Sequence, residues 1–207
     1  MNKLYSFIII LTFIIIGCTP KVIEKEKLSK KIDSLDLNIY SKSGIKKFSI
    51  TTPYSIYDGI NDKFQFKKTT IKIYKKGITR FIIISDESTL SDNNKFLELK
   101  GNVKLKTINE DDDYLYADNF TWNIDETNYV LTGNIRFENK NVILTSGKAK
   151  MGPDNIIEFF NPVKYIIKDD ENNSMYEIYS ENAYYDMNKE SLSFKAMDER
   201  VRSIIYF

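Results

Sequence analysis

From residue 35 onward the chain alternates apolar and polar positions in short runs that polar turns separate. Leu35, Leu37 and Ile39 show the pattern, and Ser43-Gly44 follows them as the first turn. A period of two predicts β-strands, because successive side chains of a strand point to opposite faces. Turn signals that return roughly every 8 to 12 positions predict an antiparallel all-β domain, with no helix beyond Leu35. The later alternating pairs are Phe48/Ile50, Phe64/Phe66, Ile71/Ile73 and Ile82/Ile84, with turns at Asn61-Asp62 and Lys76-Gly77.

An internal repeat occupies the second half of the chain. Residues 97–105 and 129–137 share a Gly-Asn pair inside an alternating strand, and 157–165 is a degenerate third copy. The copies are 32 and 28 residues apart, and a second strand-like segment follows each, at 116–122, 145–151 and 179–185. A repeat of about thirty residues that holds two strands predicts stacked hairpins that share one elongated interior.

Two glycines lie within this repeated strand, Gly101 and Gly133. Glycine accepts a positive φ without a Cβ clash, and an isolated glycine in a strand usually marks a bulge. The sequence therefore predicts a structural role for both, at a bend in the strand.

The N terminus has the order of a bacterial lipoprotein signal. Lys3 precedes an apolar run from Leu4 to Ile16, and Gly17 precedes Cys18. This order is typical of a signal peptide, and the end of the run resembles a lipobox, in which the cysteine is acylated. The alternative is an uncleaved transmembrane anchor, which needs about 20 apolar residues, more than this run offers. We therefore predict a signal peptide at 1–17, a lipidated N terminus and charged spacer at 18–34, and a β domain at 35–207.

Composition argues against catalysis. The 207 residues include one cysteine and no histidine, and 30 basic residues balance 29 acidic ones. Histidine acid–base chemistry, intramolecular disulfides and the usual zinc sites are excluded, and a near-neutral chain does not recruit nucleic acid. We predict no catalytic residue, metal or cofactor. Acidic clusters at 110–113 and 169–171 allow a calcium site, but their positions in turns favour solvated carboxylates.

Three motifs together resemble the LptC family of lipopolysaccharide-export proteins. Residues 37–50 resemble the first hairpin of that family, 81–86 the strand that introduces its middle, and Leu97-Glu-Leu-Lys-Gly-Asn-Val103 its most recognisable motif. The resemblance implies a twisted, open β-jellyroll of two antiparallel sheets that enclose an apolar groove, a fold shared with the bridge protein LptA. Many members of that family carry an N-terminal transmembrane helix, whereas this chain has the lipobox-like sequence in its place.

On this resemblance the protein is a periplasmic lipopolysaccharide-transport component without enzymatic activity. It would shield the acyl chains of lipopolysaccharide or a related glycolipid and pass them from an inner-membrane ABC transporter to an LptA-like bridge protein. Its place would be the periplasmic side of the inner membrane, anchored by lipid on Cys18, although Thr19 leaves outer-membrane sorting open. The residues expected to line the groove are Leu99, Val103, Leu105, Phe120, Trp122, Leu131, Ile135, Phe137, Phe159, Val163 and Tyr185.

An open jellyroll leaves unpaired strand edges, where partners add their own strands. By resemblance, the transporter's periplasmic domain would meet the N-terminal edge and the bridge protein the C-terminal edge. The alternative for the C-terminal strand is that it closes the protein's own sheet. The residues predicted at the two edges are Leu37, Ile39 and Phe48, and Ile204, Ile205 and Phe207.

A different class of protein fits the lipobox and the alternation equally well. A surface or periplasmic β-sandwich lipoprotein that binds a protein or glycan would transport nothing. The Gly-Asn repeat favours an elongated groove over that alternative, and the sequence shows no pair of carboxylates that would indicate a glycosidase.

Overall fold

The computed structural model describes residues 29–108, 113–169, 171, 173–196 and 200–206, without the side chain of Asn161. The predicted signal peptide, Cys18 and the first part of the spacer lie outside these residues, as do Glu110, Asp111, Asp112 and Phe207. Within the described ranges every regular element is a strand. No helix there is long and apolar enough to cross a membrane.

The strands follow one another in a long antiparallel meander. Strands β1 to β11 each pair with the next, and β12 pairs with β10 beside β11, so that all twelve belong to one continuous sheet. The prediction of an all-β fold is confirmed. The strands are β1 (Ser29–Tyr40), β2 (Lys46–Asp58), β3 (Lys63–Lys75), β4 (Ile78–Ser91), β5 (Phe96–Thr107), β6 (Tyr114–Asn123), β7 (Asn128–Asn139), β8 (Val142–Met151), β9 (Ile156–Lys168), β10 (Ser174–Asp186), β11 (Ser191–Lys195) and β12 (Arg202–Ile205).

The first strand begins earlier than the hydrophobic pattern predicted. Ser29 to Ser34 belong to β1, and the first five of them pair with the C-terminal half of β2, from Ser29 opposite Asp58 to Asp33 opposite Tyr54. These residues were predicted to be spacer because only Ile32 among them is apolar. An edge strand has one neighbour and needs little apolar surface, so its alternation is weak.

A line of irregularities crosses the middle of the sheet and folds it into two layers. The pairing register shifts at corresponding points of successive strand pairs, between Ile84 and Glu87, Lys100 and Val103, Tyr116 and Asn119, Thr132 and Ile135, and Thr145 and Lys148. Bulges bend a strand and increase its twist. A row of them therefore turns each long strand from one layer into the other.

Contacts between distant strands show that the two halves face each other. The rings of Phe48 in β2 and Trp122 in β6 are 5.0 Å apart, although three strands separate β2 from β6 in the sheet. We call the halves beside the β1–β2, β3–β4, β5–β6, β7–β8 and β9–β10 connections layer 1, and the other halves layer 2. The two layers of the predicted sandwich are thus two halves of one sheet.

The bend carries the same three residues, an aspartate, a glycine and an asparagine, in two hairpins, β4–β5 and β6–β7. In the first, Gly101 and Asn102 of β5 have φ of +74° and +46°, and the Asn102 amide donates to Asp86 of β4 at 2.7 Å. In the second, Gly133 and Asn134 of β7 have φ of +75° and +47°, and Asn134 donates to Asp118 of β6 at 2.8 Å. We call this arrangement the Gly-Asn bend. Two consecutive left-handed residues are tolerated because one is glycine and the other asparagine.

The core lies between the layers and is built from the inward residues of β2 to β10. The predicted inward face is wrong for one apolar run of β4. Phe81 and Ile83 point inward and are buried, whereas Ile84, predicted as part of the alternating apolar face, is exposed. Four apolar residues in succession, Phe81 to Ile84, do not indicate which positions face inward. The pairing with β3 and β5 decides which two are buried.

Candidate lipid-binding interior

The eleven residues predicted to line a groove lie on the inward face of the sheet. Ten of them are buried and Tyr185 is half-buried and packs against that core. Layer 1 supplies members such as Leu105 and Phe137, and layer 2 supplies members such as Leu99 and Trp122. The structure thus brings the predicted set together in one apolar interior.

The middle of this interior is closely packed. The space left between Leu105, Phe120, Tyr129 and their neighbours is about 20 Å³. A void of that size holds about one water molecule. An acyl chain can therefore occupy the middle only if the two layers move apart.

A larger cavity lies at the C-terminal end of the interior. It has a volume of about 250 Å³, and both layers contribute to its wall. Its apolar lining consists of Phe137, Val142, Leu144, Phe159, Tyr165, Tyr185 and Leu192, and Asp113, Asn139 and Glu190 provide polar groups. Three of the predicted groove residues, Phe137, Phe159 and Tyr185, line this space.

Asp113 is a polar residue of this cavity that the sequence assigned to a solvated turn. It is 3% exposed and accepts a hydrogen bond from the Asn139 amide, while its carbonyl oxygen accepts the Thr107 N–H at 3.0 Å. The prediction of a solvated carboxylate is therefore wrong for Asp113. Sequence offered no signal, because Asp113 ends a run of four acidic residues that look alike. No group of three carboxylates that could hold a metal ion occurs among the described residues.

Trp122 supplies a second polar group, in the apolar middle of the interior. Its ring meets Phe48 edge to face at 5.0 Å and stacks on Tyr129 at 5.3 Å. The indole Nε1 is buried and makes no hydrogen bond with the described residues. A buried donor without a partner costs roughly 1–3 kcal/mol, so an acceptor atom of a ligand between the layers would be stabilised here.

Tyr129 gives the interior a measurable pH dependence. Burial raises the pKa of Tyr129 to about 12, against about 10 in an unfolded chain. The folded state favours the neutral phenol, so its contribution is complete below pH 10 and is lost as the pH rises from 10 to 12. Two pH units correspond to roughly 2–3 kcal/mol.

Between pH 10 and pH 12 the unfolding free energy of the wild type should fall by roughly 2–3 kcal/mol more than that of Tyr129→Phe, which has no phenol to ionise. Denaturant titrations at a series of pH values measure it. Tyr40→Phe, at an exposed position, serves as the control and should follow the wild-type curve. Superimposable curves for Tyr129→Phe and the wild type would show that the phenol is in contact with water.

The two sheet edges differ in part from the prediction. β1 is the N-terminal edge and carries Leu37 and Ile39, but Phe48 lies in β2 and is fully buried. At the other end Ile204 and Ile205 belong to β12, which pairs with residues 176–179 of the protein's own β10. The alternative for this strand, closure of its own sheet, is what the structure shows. The outer side of β11 and β12 forms the C-terminal edge.

These features define a class: an all-β protein of one folded meander sheet, with an apolar interior that widens at one end. A sequence profile of the family described as "Lipopolysaccharide-assembly, LptC-related" matches residues 8–132, more than half of the chain. The chain belongs to this family. It is therefore a periplasmic component of lipopolysaccharide transport and not an enzyme.

Among solved structures, the fold is similar to that of LptH from Pseudomonas aeruginosa. That protein is described as the LptA homologous periplasmic component of the conserved lipopolysaccharide transport device. The identity is 9% and the TM-score 0.41, and the match covers 77% of this chain and 94% of LptH. No curated protein sequence matches the chain.

Proposed function

We propose that this protein holds the acyl chains of lipopolysaccharide, or of a related glycolipid, between its two layers. It receives them from an inner-membrane ABC transporter and passes them to an LptA-like bridge protein. Lipid on Cys18 keeps it at the periplasmic side of the inner membrane. The observation that supports this function is the apolar interior, which runs through the strands of the meander and opens into the cavity beside Phe137 and Phe159.

Apolar shielding supplies the mechanism. Each acyl methylene exposed to water costs on the order of 0.8 kcal/mol, so a lipid with several long chains leaves a bilayer only into a replacement apolar surface. The interior residues provide that surface when the layers move apart. Direction comes from the transporter, because the interior itself binds without chemical change.

The edges of the sheet supply the contacts with both neighbours. Edge strands expose unpaired backbone groups and accept a further strand from a partner. In this proposal the transporter's periplasmic domain pairs with β1, and the bridge protein pairs with the outer side of β11 and β12. The groove would then continue from one protein into the next.

Photocrosslinking in living cells tests the proposal. A photoreactive residue at Val103 or Ile135, both 1% exposed, should capture glycolipid. The matched controls are Lys104 and Arg136, the next residues on the outer faces of the same strands. Capture at the outer positions alone would remove the interior from the transport path. Capture of a protein or glycan, without lipid, would indicate the non-transporting lipoprotein instead.

A further inference from the structure

Charge is distributed unevenly along this nearly neutral chain. Residues 37–57 and 63–85 contain ten lysines and arginines and no aspartate or glutamate. Thirty basic residues occur in the whole chain, so these two stretches hold a third of them without a single counter-charge of their own. The excess of positive charge therefore belongs to strands β2 to β4 and to the turn before β2.

The fold gathers much of this charge at one corner of layer 1. Strands β2 and β3 are neighbours, with Phe48 opposite Ile73, so the β1–β2 and β3–β4 turns lie side by side. The Lys46 ammonium stands 4.7 Å from the centre of the Tyr74 ring, which links the two hairpins. We call this corner the basic margin, and its cations are Lys42, Lys46, Lys47, Lys75, Lys76 and Arg80.

Local electrostatics are consistent with a positive field at the basic margin. The Ser49 hydroxyl, and then the ammonium groups of Lys46 and Lys72, hold the pKa of Tyr74 below its ordinary value. Ser49 and Tyr74 oxygens are 3.3 Å apart. These lysines thus stabilise the anionic form of the Tyr74 phenol relative to that of an isolated tyrosine.

Apolar side chains accompany the cations. Tyr40 and Ile45 are more than half exposed, and Ile78, at the tip of the β3–β4 hairpin, is 73% exposed. Leu37 and Ile39 of β1 are partly buried against the core. At this end of the sheet the apolar interior therefore reaches the surface directly beside the basic margin.

We propose that the basic margin binds the phosphate groups of the glycolipid headgroup while the acyl chains enter beside Ile39. This inference rests on the function proposed above and names the part of the ligand that this corner recognises. Phosphate is the group that matches, because several lysines lie side by side at this corner, in stretches of the chain without an acidic residue of their own, and each acts as a compact point charge. The continuity with the interior favours a glycolipid headgroup over the surface of a bilayer.

Binding measurements on the full-length, lipid-anchored protein in neutral detergent test this assignment. The probes are diphosphorylated lipid A and the same lipid A after phosphatase treatment. We expect the wild type to bind the phosphorylated form about tenfold more tightly, since each lysine near an anionic group contributes on the order of one kcal/mol. Lys42→Glu with Lys75→Glu should abolish this preference, and raised salt should diminish it.

The matched control places the same charge change elsewhere. Lys148 and Lys150 are exposed on the outer face of layer 2, beside Phe160, and Lys148→Glu with Lys150→Glu should leave both affinities unchanged. Equal binding of the two lipids by the wild type would overturn the phosphate site and leave the proposed function standing. Failure to bind either lipid would reject the proposed function itself. Equally tight binding to phosphatidylglycerol vesicles, lost in the margin variant, would overturn the assignment in favour of a bilayer surface.

Discussion

Gly133→Ala is expected to lower the free energy of unfolding by about 2–4 kcal/mol, the range of a steric clash added to backbone strain. Gly133 has φ of +75°, where an L side chain is strained, and an alanine Cβ would lie 2.9 Å from the Asp118 Cβ. Asp118 cannot move aside without loss of the hydrogen bond from Asn134. Chemical denaturation measures the change.

Gly77→Ala separates the two causes. Gly77 also has a positive φ, +79°, but a Cβ there would meet nothing within 4 Å. Only backbone strain remains, and the expected loss is about 1 kcal/mol. Gly101→Ala should resemble Gly133→Ala, because its Cβ would approach the Asp86 Cβ to 3.2 Å. Equal losses at Gly77 and Gly133 would contradict the close packing of the Gly-Asn bend.

Phe120→Ala is expected to destabilise the protein by about 3–5 kcal/mol, as for a phenylalanine in a close-packed core. Phe120 is 1% exposed and faces the narrow space in the middle of the interior. Removal of the ring leaves a cavity that the two layers fill only in part. Thermal or denaturant unfolding measures the loss.

The control for this prediction is Ile78→Ala at the exposed tip of the β3–β4 hairpin. Its expected effect lies within about 0.5 kcal/mol, as for most surface positions. A loss below about 1 kcal/mol at Phe120 would mean that the interior is hydrated at rest and not close-packed. That outcome would make separation of the layers unnecessary for lipid binding.

Sequence periodicity predicted the strands well where they are half-buried and interrupted by polar turns. The hairpin repeat of residues 97–185 became β5 to β10, with both glycines at the bend. Periodicity did not predict the buried face where apolar and polar residues do not alternate. The apolar run at 81–84 fits either face, and the mostly polar start of β1 lacks an apolar face altogether.

The sequence predicted which residues of the candidate site face inward, but not the volume or position of the cavity between them. Alternation identifies which side chains share a face, whereas the volume between two layers depends on how closely the halves of the sheet approach. The bend that brings them together depends on Asp86 and Asp118, each 16 residues from its asparagine partner. The alternation of apolar and polar residues does not indicate such side-chain pairs, so their role and the burial of Asp113 emerged only from the structure.

The meander order of the strands has a consequence for how the chain acquires its shape. Nearly every strand pairs with its immediate predecessor in sequence, so each pairing closes only a short loop and the entropy lost on loop closure is small. Each long strand also enters both layers, so every added hairpin lengthens the sandwich. Hairpins added in chain order therefore extend one and the same sandwich, in the manner of a repeat array.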